Sequence, residues 1–447
     1  MALADDLPAD EVRELLQALV RNACVNDGTP ASGGEERNAA TLRSYLEGSG
    51  VDLWSHEPLP GRTSLLARLP GSDPDAPTVG LMGHTDVVPV TPDAWTRDPF
   101  AAELVDGEVW GRGTIDMLNL TASMAVALRH LATGRVRPRA DVLLLAVADE
   151  EAGGFLGAGW LAEHAWDEVR CDVVLTESGG LLTDTPSGPR LVFAAAEKGI
   201  AWRRIVVGGR SSHGSRPYGA DNALVRAAEV VRRLAHHRGG ARITTAWRAW
   251  VEALGLPDDQ REALLDEARV LDAIDGFDDP EARSVAHALT HTTWSPNVVR
   301  GGTKTNVVPD EVVIEVDVRT LPGTTDTEVD TELAAMLAGL DHVRWEPALA
   351  TRPATASRTD TRWWELLASL AGEAHPQATV LPRTTTGGTD ATFFRARGVP
   401  AYGAGLFSDA LDLDSFSARF HGPDERVDLA SLGLSAAFFR EFVLRSG

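Results

Sequence analysis

The sequence predicts an α/β domain interrupted by a smaller, inserted two-layer α+β (ferredoxin-like) domain. Three observations predict it. Near-continuous apolar runs at 78–82, 141–148 and 172–175 read as strands covered on both faces, and they alternate with amphipathic helical stretches. Each run ends abruptly in polar or ionisable residues, which places a site at the strand ends. Beyond 198–199 the texture changes to that of a small α+β module, and the first pattern resumes from about 358. The expected division is 1–200 and 354–447 for the interrupted domain, with 201–353 inserted.

In order along the chain, 10–20 has apolar residues at helical spacing behind an aspartate cap. Residues 25–34 are a Gly-rich loop, 35–49 a second amphipathic helix, and 63–69 a strand. The turn-rich stretch 71–77 leads into the strand that ends at LMGHTDVVP, 81–89. Residues 120–131 form a strongly apolar helix, and the strand at 141–148 ends in Asp149-Glu150-Glu151. The strand at 172–175 ends in Glu177. The inserted domain reads as strands at 201–207, 312–320 and 343–347, with helices at 222–236 and 327–337. Between its halves, 242–291 is helical and rich in Trp and acids, an elaboration with no function legible in it. A helix at 363–372, a strand at 379–381 and a closing helix at 429–444 complete the chain.

Composition narrows the function classes. At 447 residues the chain has room for two or three domains, and 43% hydrophobic with 24% charged residues is ordinary for a globular protein. A formal charge of −23 repels phosphate backbones and anionic membranes, so neither nucleic acid nor membrane is expected as a partner. Cys24 and Cys171 are the only cysteines, and no CxxC occurs. The acidic N-terminus has no basic n-region, and no apolar run is long enough to span a membrane, so a cytoplasmic location is expected.

The chemistry gathers at the strand ends: His84, Asp86, Asp116, Glu150, Glu151, Glu177 and His421. An isolated His-x-Asp is more often a strand running into a turn with a surface histidine. Here it has company. Residues two apart on an extended segment point the same way, so His84 and Asp86 are expected to emerge together, the carboxylate fixing the imidazole tautomer. Two histidines and several carboxylates without sulfur suit one or two divalent ions, zinc first. Converged carboxylates without a cation would repel one another strongly.

GHTDVVP at 83–89, GRGTIDM at 111–117, DEEAGG at 149–154, TESGG at 176–180, SSHGSRP at 211–217, TNVVP at 305–309, DVRTLPG at 317–323, GGTDATFF at 387–394 and HGPDERV at 421–427 occur in this order. In these motifs the chain resembles the M20 metallopeptidases (aminoacylase-1, the DapE/ArgE deacylases, glutamate carboxypeptidase), from about residue 10 to its end. TESGG and AEKG look closest to the carboxypeptidase S-like branch. The resemblance implies a zinc-peptidase-like catalytic domain, an inserted lid and dimerisation domain, and two Zn2+ ions, with Co2+ or Mn2+ as substitutes. It implies that Asp116 bridges the ions, that His84 and Glu177 complete one, and that Glu151 and His421 complete the other. Asp86 would orient His84, and Glu150 would be the general base that takes a proton from the attacking water and returns it to the leaving amine. His213 would stabilise the oxyanion across a homodimer interface formed by the inserted domain, and Asn306 would contact substrate. Arg352 and the Gly387-Gly388-Thr389 turn resemble parts that bind the substrate's free carboxylate, with Arg319 and Arg383 as competing guanidinium groups. One departure stands out. Many members have Lys-Gly where Leu118-Asn119 follows Asp116-Met117, which weakens any borrowed substrate assignment.

The function so implied is hydrolysis of an amide or peptide bond adjacent to a free carboxylate. The substrate would be an N-acyl-amino acid, a dipeptide or a C-terminal residue. The alternatives are a catalytically silent binding or regulatory member of the fold, which a lost base or ligand would signal, and a deacylase of a biosynthetic intermediate. A single-metal aminopeptidase-like enzyme needs fewer carboxylates than are present.

Overall fold

The structure is a computed structural model that describes residues 8–447. The chain divides into two compact units. The first runs up to Ala195 and takes in Ser357–Arg383 and Thr389–Gly447; the second is Ala196–Ala356 with Thr384–Gly388. Compactness therefore draws the borders a few residues from 200/201 and 353/354, and it assigns the short segment Thr384–Gly388 to the second unit.

The first unit is built on a six-stranded sheet in the order Asp52–His56, Ser64–Leu69, Asp141–Val147, Thr78–His84, Val173–Thr176, Ala401–Gly403. The last four strands are mutually parallel, and the first two are antiparallel additions at one edge. Thr78–His84 sits between two parallel neighbours, which explains its unbroken apolar run from Val79 to Met82. Helix Leu118–Thr133 connects Thr78–His84 to Asp141–Val147 and packs with Ala9–Arg21 and Leu429–Ser446. Met82, Leu143, Leu145 and Val174 meet Leu161, Ala391 and Phe394 in a separate core cluster. The parallel strands all end on one side, so His84 and the residues after Val147 and Thr176 share a rim.

A three-stranded sheet does the remaining positioning. Glu108–Trp110 pairs with Glu103–Val105 and, antiparallel, with Arg426–Asp428. The segment leaving Trp110 toward Asp116 therefore runs beside the segment that arrives at Arg426 from His421. Residues about 310 apart in sequence are neighbours for this reason.

In the second unit, Arg203–Gly208, Thr293–Gly301, Glu311–Thr320 and Val343–Pro347 form an antiparallel sheet in the order Thr293–Gly301, Glu311–Thr320, Arg203–Gly208, Val343–Pro347. Helices Ala223–Ala235 and Asp326–Met336 close its core over Ile205, Val207, Ile314, Val316, Val230 and Leu333. This is the ferredoxin-like order expected, with one strand that the sequence reading did not contain. Thr293–Gly301 carries Pro296 and a bulge between Pro296 and Val298, and it pairs only with Glu311–Thr320, an edge position that tolerates proline. Between Ala241 and His291, which pair as an isolated bridge, four helices surround Trp247, Val251, Leu264, Val270 and Ile274 as a small core of their own.

Candidate metal centre

His84 is the last residue of the central strand, buried at its parallel end. Its Nε2 lies 3.0 Å from Asp116 Oδ1, while His421 Nε2 lies 2.8 Å from Asp116 Oδ2. The two histidines thus face opposite oxygens of one buried carboxylate. Two ligand groups result, His84–Asp116–Glu177 and Asp116–Glu151–His421, and within each the ligand atoms lie within 4.8 Å of one another. Asp116 is their shared member. Glu151 Oε2 is 3.5 Å from His421 Nε2, and Glu151 Oε1 is buried with no hydrogen-bond partner among the described residues.

Glu150 and Glu151 lie in a single 3-10 turn that follows Asp149, whose φ of 71° is left-handed. Asp86 holds this turn. Its Oδ1 accepts the Glu150 N–H at 3.2 Å, its Oδ2 the Glu151 N–H at 3.1 Å, and Asn26 Nδ2 donates to Oδ2 at 2.8 Å. The Asp86 carboxylate is thereby occupied, and this changes the expected role. His84 Nδ1 donates to the Asp86 backbone carbonyl at 2.9 Å, and the carboxylate stands 3.6 Å away. Asp86 orients the histidine through its main chain and the two glutamates through its side chain.

Behind Asp86 lies a buried network absent from the sequence reading. Arg62 Nη1 donates to Glu35 Oε1 at 2.7 Å and lies 3.7 Å from Asp149 Oδ1; its Nη2 donates to Asn26 Oδ1 at 3.0 Å. Glu35 Oε1 also accepts the Asp149 N–H. Arg112 and Glu425 form a second buried pair, Nη1 to Oε2 at 2.6 Å. Asp390 is a further buried acid whose charge bears on Glu150 and Glu177.

The acids and imidazoles of the site shift one another's protonation. Burial, then the negative charge of Glu177, pushes the Glu150 carboxyl well above the usual carboxylate range, with His84 opposing. Burial and Asp116 raise Glu177 in the same way, and burial and Asp116 raise Glu151. Burial pulls the His84 imidazole down, but its hydrogen bond to Asp116 and the surrounding carboxylates outweigh this and raise it well above its usual value. His421, against its own burial, is raised to about 10 by hydrogen bonds to Asp116 and Glu151. Burial opposes the ionised form of Asp116, and the hydrogen bonds from the two histidines hold its carboxyl far below the usual range. Such a set must share protons among its acids or take up positive charge. The unpaired Glu151 Oε1 and an all-nitrogen-and-oxygen donor set fit divalent ions such as zinc.

The remaining predicted residues, Thr389 and the competing Arg383 aside, belong to the second unit. His213 is exposed on a two-residue strand paired with Val307–Val308, its Nδ1 bonded to Ser215 Oγ at 2.8 Å. The Gly214 N–H donates to the Asn306 carbonyl at 2.8 Å, so this ribbon joins the His213 and Asn306 segments within the second unit. Arg352 is buried and its backbone pairs with Ile200; a Cβ on Gly388 would approach its Nη2 to 3.4 Å. Arg319 is engaged by Asp317 at 2.8 Å. Gly387 and Gly388 belong to the second unit and Thr389 to the first, where its Oγ1 accepts the Ala391 N–H.

With this geometry in hand, the chain matches the sequence profile of peptidase family M20/M25/M40 over residues 80–445. It is similar to the human N-fatty-acyl-amino acid synthase/hydrolase PM20D1, 25% identical over 90% of this chain and 78% of that protein. It is 26% identical to the succinyl-diaminopimelate desuccinylase of Leptothrix cholodnii over 88% of this chain and 89% of that one. Among solved structures, the M20 metallo-carboxypeptidase Sso-CP2 of Sulfolobus solfataricus shares the fold with a TM-score of 0.72 at 20% identity, covering 98% of this chain and 99% of that one. No helix among the described residues is long and apolar enough to cross a membrane. The chain belongs to peptidase family M20/M25/M40, the metal-dependent hydrolases of amide and peptide bonds.

Proposed function

We propose that this chain is a dinuclear-metal amidohydrolase that cleaves the amide of an N-acyl-amino acid, releasing the free amino acid. The observation that supports it most is Asp116 presenting its two oxygens to two histidines, each inside its own ligand group. His84 and Glu177 would hold one ion and Glu151 and His421 the other, zinc first, with Co2+ or Mn2+ as substitutes. Divalent ions bound there supply Lewis acidity, lowering the pKa of water and polarising the scissile carbonyl. Glu150 is the general base. It takes a proton from the attacking water and returns it to the departing amine. Asp86 holds Glu150 and Glu151 by their amides, so the base and a ligand keep their registration. His213 and Asn306 are assigned to the oxyanion and the substrate, and Arg352 with the Gly387–Gly388 turn to its carboxylate. The two relatives named above carry names that describe amides of amino acids, which favours N-acyl-amino acids over dipeptides.

The test is a panel of N-acyl-amino acids and dipeptides, with wild type and Glu150→Ala after zinc loading. The expected result is release of amino acid by wild type, reduced about 10^2–10^4-fold or more in the variant. Equal turnover by both removes Glu150 from the mechanism. Two bound ions without turnover of any substrate favours a binding or regulatory protein.

A further inference from the structure

Glu425 is completely buried in the first unit, four residues beyond His421. Its Oε1 accepts three N–H groups of one loop: Gly113 at 3.1 Å, Ile115 at 2.6 Å and Asp116 at 3.1 Å. Its Oε2 accepts Arg112 Nη1 at 2.6 Å, and its own carbonyl accepts the Gly111 N–H at 2.9 Å. Arg112 Nη2 then donates to the carbonyl of His421 at 3.1 Å. One buried ion pair therefore ties the loop carrying Asp116 to the loop carrying His421, starting from the strand pairing Trp110–Arg426.

The two ligand groups do not depend on this tie equally. His84 is buried at the end of a strand with a partner on each side, and its Nδ1 is anchored to Asp86. His421 has a half-exposed side chain and a left-handed φ of 56°; besides the approach of its ring to Asp116 Oδ2, its loop is linked toward Asp116 by the Arg112 bond to its carbonyl. We infer that the Arg112–Glu425 pair positions the Asp116–Glu151–His421 group by setting the distance between Asp116 and His421. The Glu425 Oε1 bonds to the Asp116 loop, which a glutamine oxygen can still accept, serve both groups, whereas the ion pair and the Arg112 arm to the His421 carbonyl serve this group alone. This rests on the two-ion reading above.

The test titrates the metal-stripped full-length chain with Co2+, followed by calorimetry and by the visible absorption of the bound ion. Arg112→Lys keeps a cation beside Glu425 but lacks the second arm that reaches the His421 carbonyl. Glu425→Gln keeps the shape and loses the charge. Wild type is expected to take two ions. Both variants are expected to bind the first ion as wild type does and the second about 10–100-fold more weakly, with a changed absorption band for that ion alone. If Glu425→Gln does not fold, as judged by circular dichroism, Arg112→Lys carries the test. Two ions bound with wild-type affinities by folded variants overturn the positioning role and leave the two-ion reading standing. Equal weakening of both ions overturns the asymmetry. A wild type that takes one ion or none overturns the two-ion reading, and the inference with it.

Discussion

Glu150 and Glu151 are adjacent, yet one is assigned a proton and the other an ion, and the residue that separates their duties is Asp86. Its carboxylate spends its acceptors on their two N–H groups and on Asn26. Asp86→Asn replaces one acceptor oxygen by an NH2 facing an N–H donor. We expect it to lower kcat and metal affinity together, each about 10–100-fold, in steady-state kinetics and Zn2+ titration; loss of kcat with unchanged affinity would mean that Asp86 acts on Glu150 alone. Arg62 presents a stability question instead. It is the only cation in contact with the buried acids Glu35 and Asp149 among the described residues. Arg62→Met leaves them uncompensated and should cost about 3–5 kcal/mol in denaturant unfolding. A loss below about 1 kcal/mol would show that the acids take up protons at little cost. The two sets of residues differed in how readable they were. His84, Glu150, Glu151 and Glu177 follow apolar strands, where a sudden carboxylate or imidazole is conspicuous. Asn26, Glu35 and Arg62 lie in a loop, at a helix start and before a strand, and their partners are tens of residues away. Nothing in a local pattern signals a partner at that distance.

At the scale of elements, the segment from Ala241 to His291 behaves as a small helical body with its own core. Its length and tryptophans were visible in the sequence, but not that Trp247 would be its centre, with Nε1 bonded to the Leu264 carbonyl at 2.8 Å. Trp247→Ala should destabilise this body by about 3–5 kcal/mol, measured by hydrogen exchange of helices Thr245–Ala253 and Asp258–Leu264. Thr293–Gly301, which follows it, was unreadable as a strand because only its edge pairing tolerates Pro296. A pH dependence belongs at this junction. Lys198 Nζ donates to the carbonyls of Ala288 and His291 at 2.7 Å each, and the rings of His287 and His291 stack with centroids 4.4 Å apart. Burial, then the charge of His287, pulls His291 down to about 4 from 6.5, with Glu332 opposing. Burial and the charge of Lys198 lower His287 as well. A histidine whose folded pKa is depressed binds fewer protons folded than unfolded. Its contribution is therefore complete above about 6.5 and is lost as pH falls toward about 4. Lys198, pulled to about 7 by burial, titrates at the top of this range and adds slope there; below about pH 6 it is ammonium in both states and adds none. The unfolding midpoint of the helical body should fall between about pH 6 and about pH 4.5, and His291→Asn should flatten that fall. An unchanged slope in the variant would assign the dependence to His287 or to acids elsewhere.

At the scale of the whole molecule, the interruption of one domain by another was legible because the strand and helix texture changes near 198 and reverts near 358. Strands such as Thr78–His84, Asp141–Val147 and Val173–Thr176 were readable because burial made them apolar, but the equally buried Gly188–Glu197 and Ala401–Gly403 were not read as strands. What no sequence pattern supplies is whether the inserted unit serves its own chain's metal centre or another's. We expect the second, in a homodimer formed through the inserted unit. Leu224 and Val225, at the start of helix Ala223–Ala235, are exposed apolar residues there, and Thr293–Gly301 offers an open strand edge. His213 is exposed on the same unit. If His213 acts across the dimer, Glu150→Ala and His213→Ala chains are each inactive alone but complement one another. In a mixed dimer one site lacks both groups. The other combines Glu150 of one chain with His213 of the other and is intact. Random re-association of equal amounts makes half the dimers mixed, so about a quarter of wild-type activity should return. If His213 acts within its own chain, every site in every dimer lacks one group and mixing restores nothing. A chain that sediments as a monomer while fully active excludes the dimer outright. The same mixture, assayed after dilution, reads the dissociation constant from the decay of the recovered activity, because each intact site exists only while its two chains stay together.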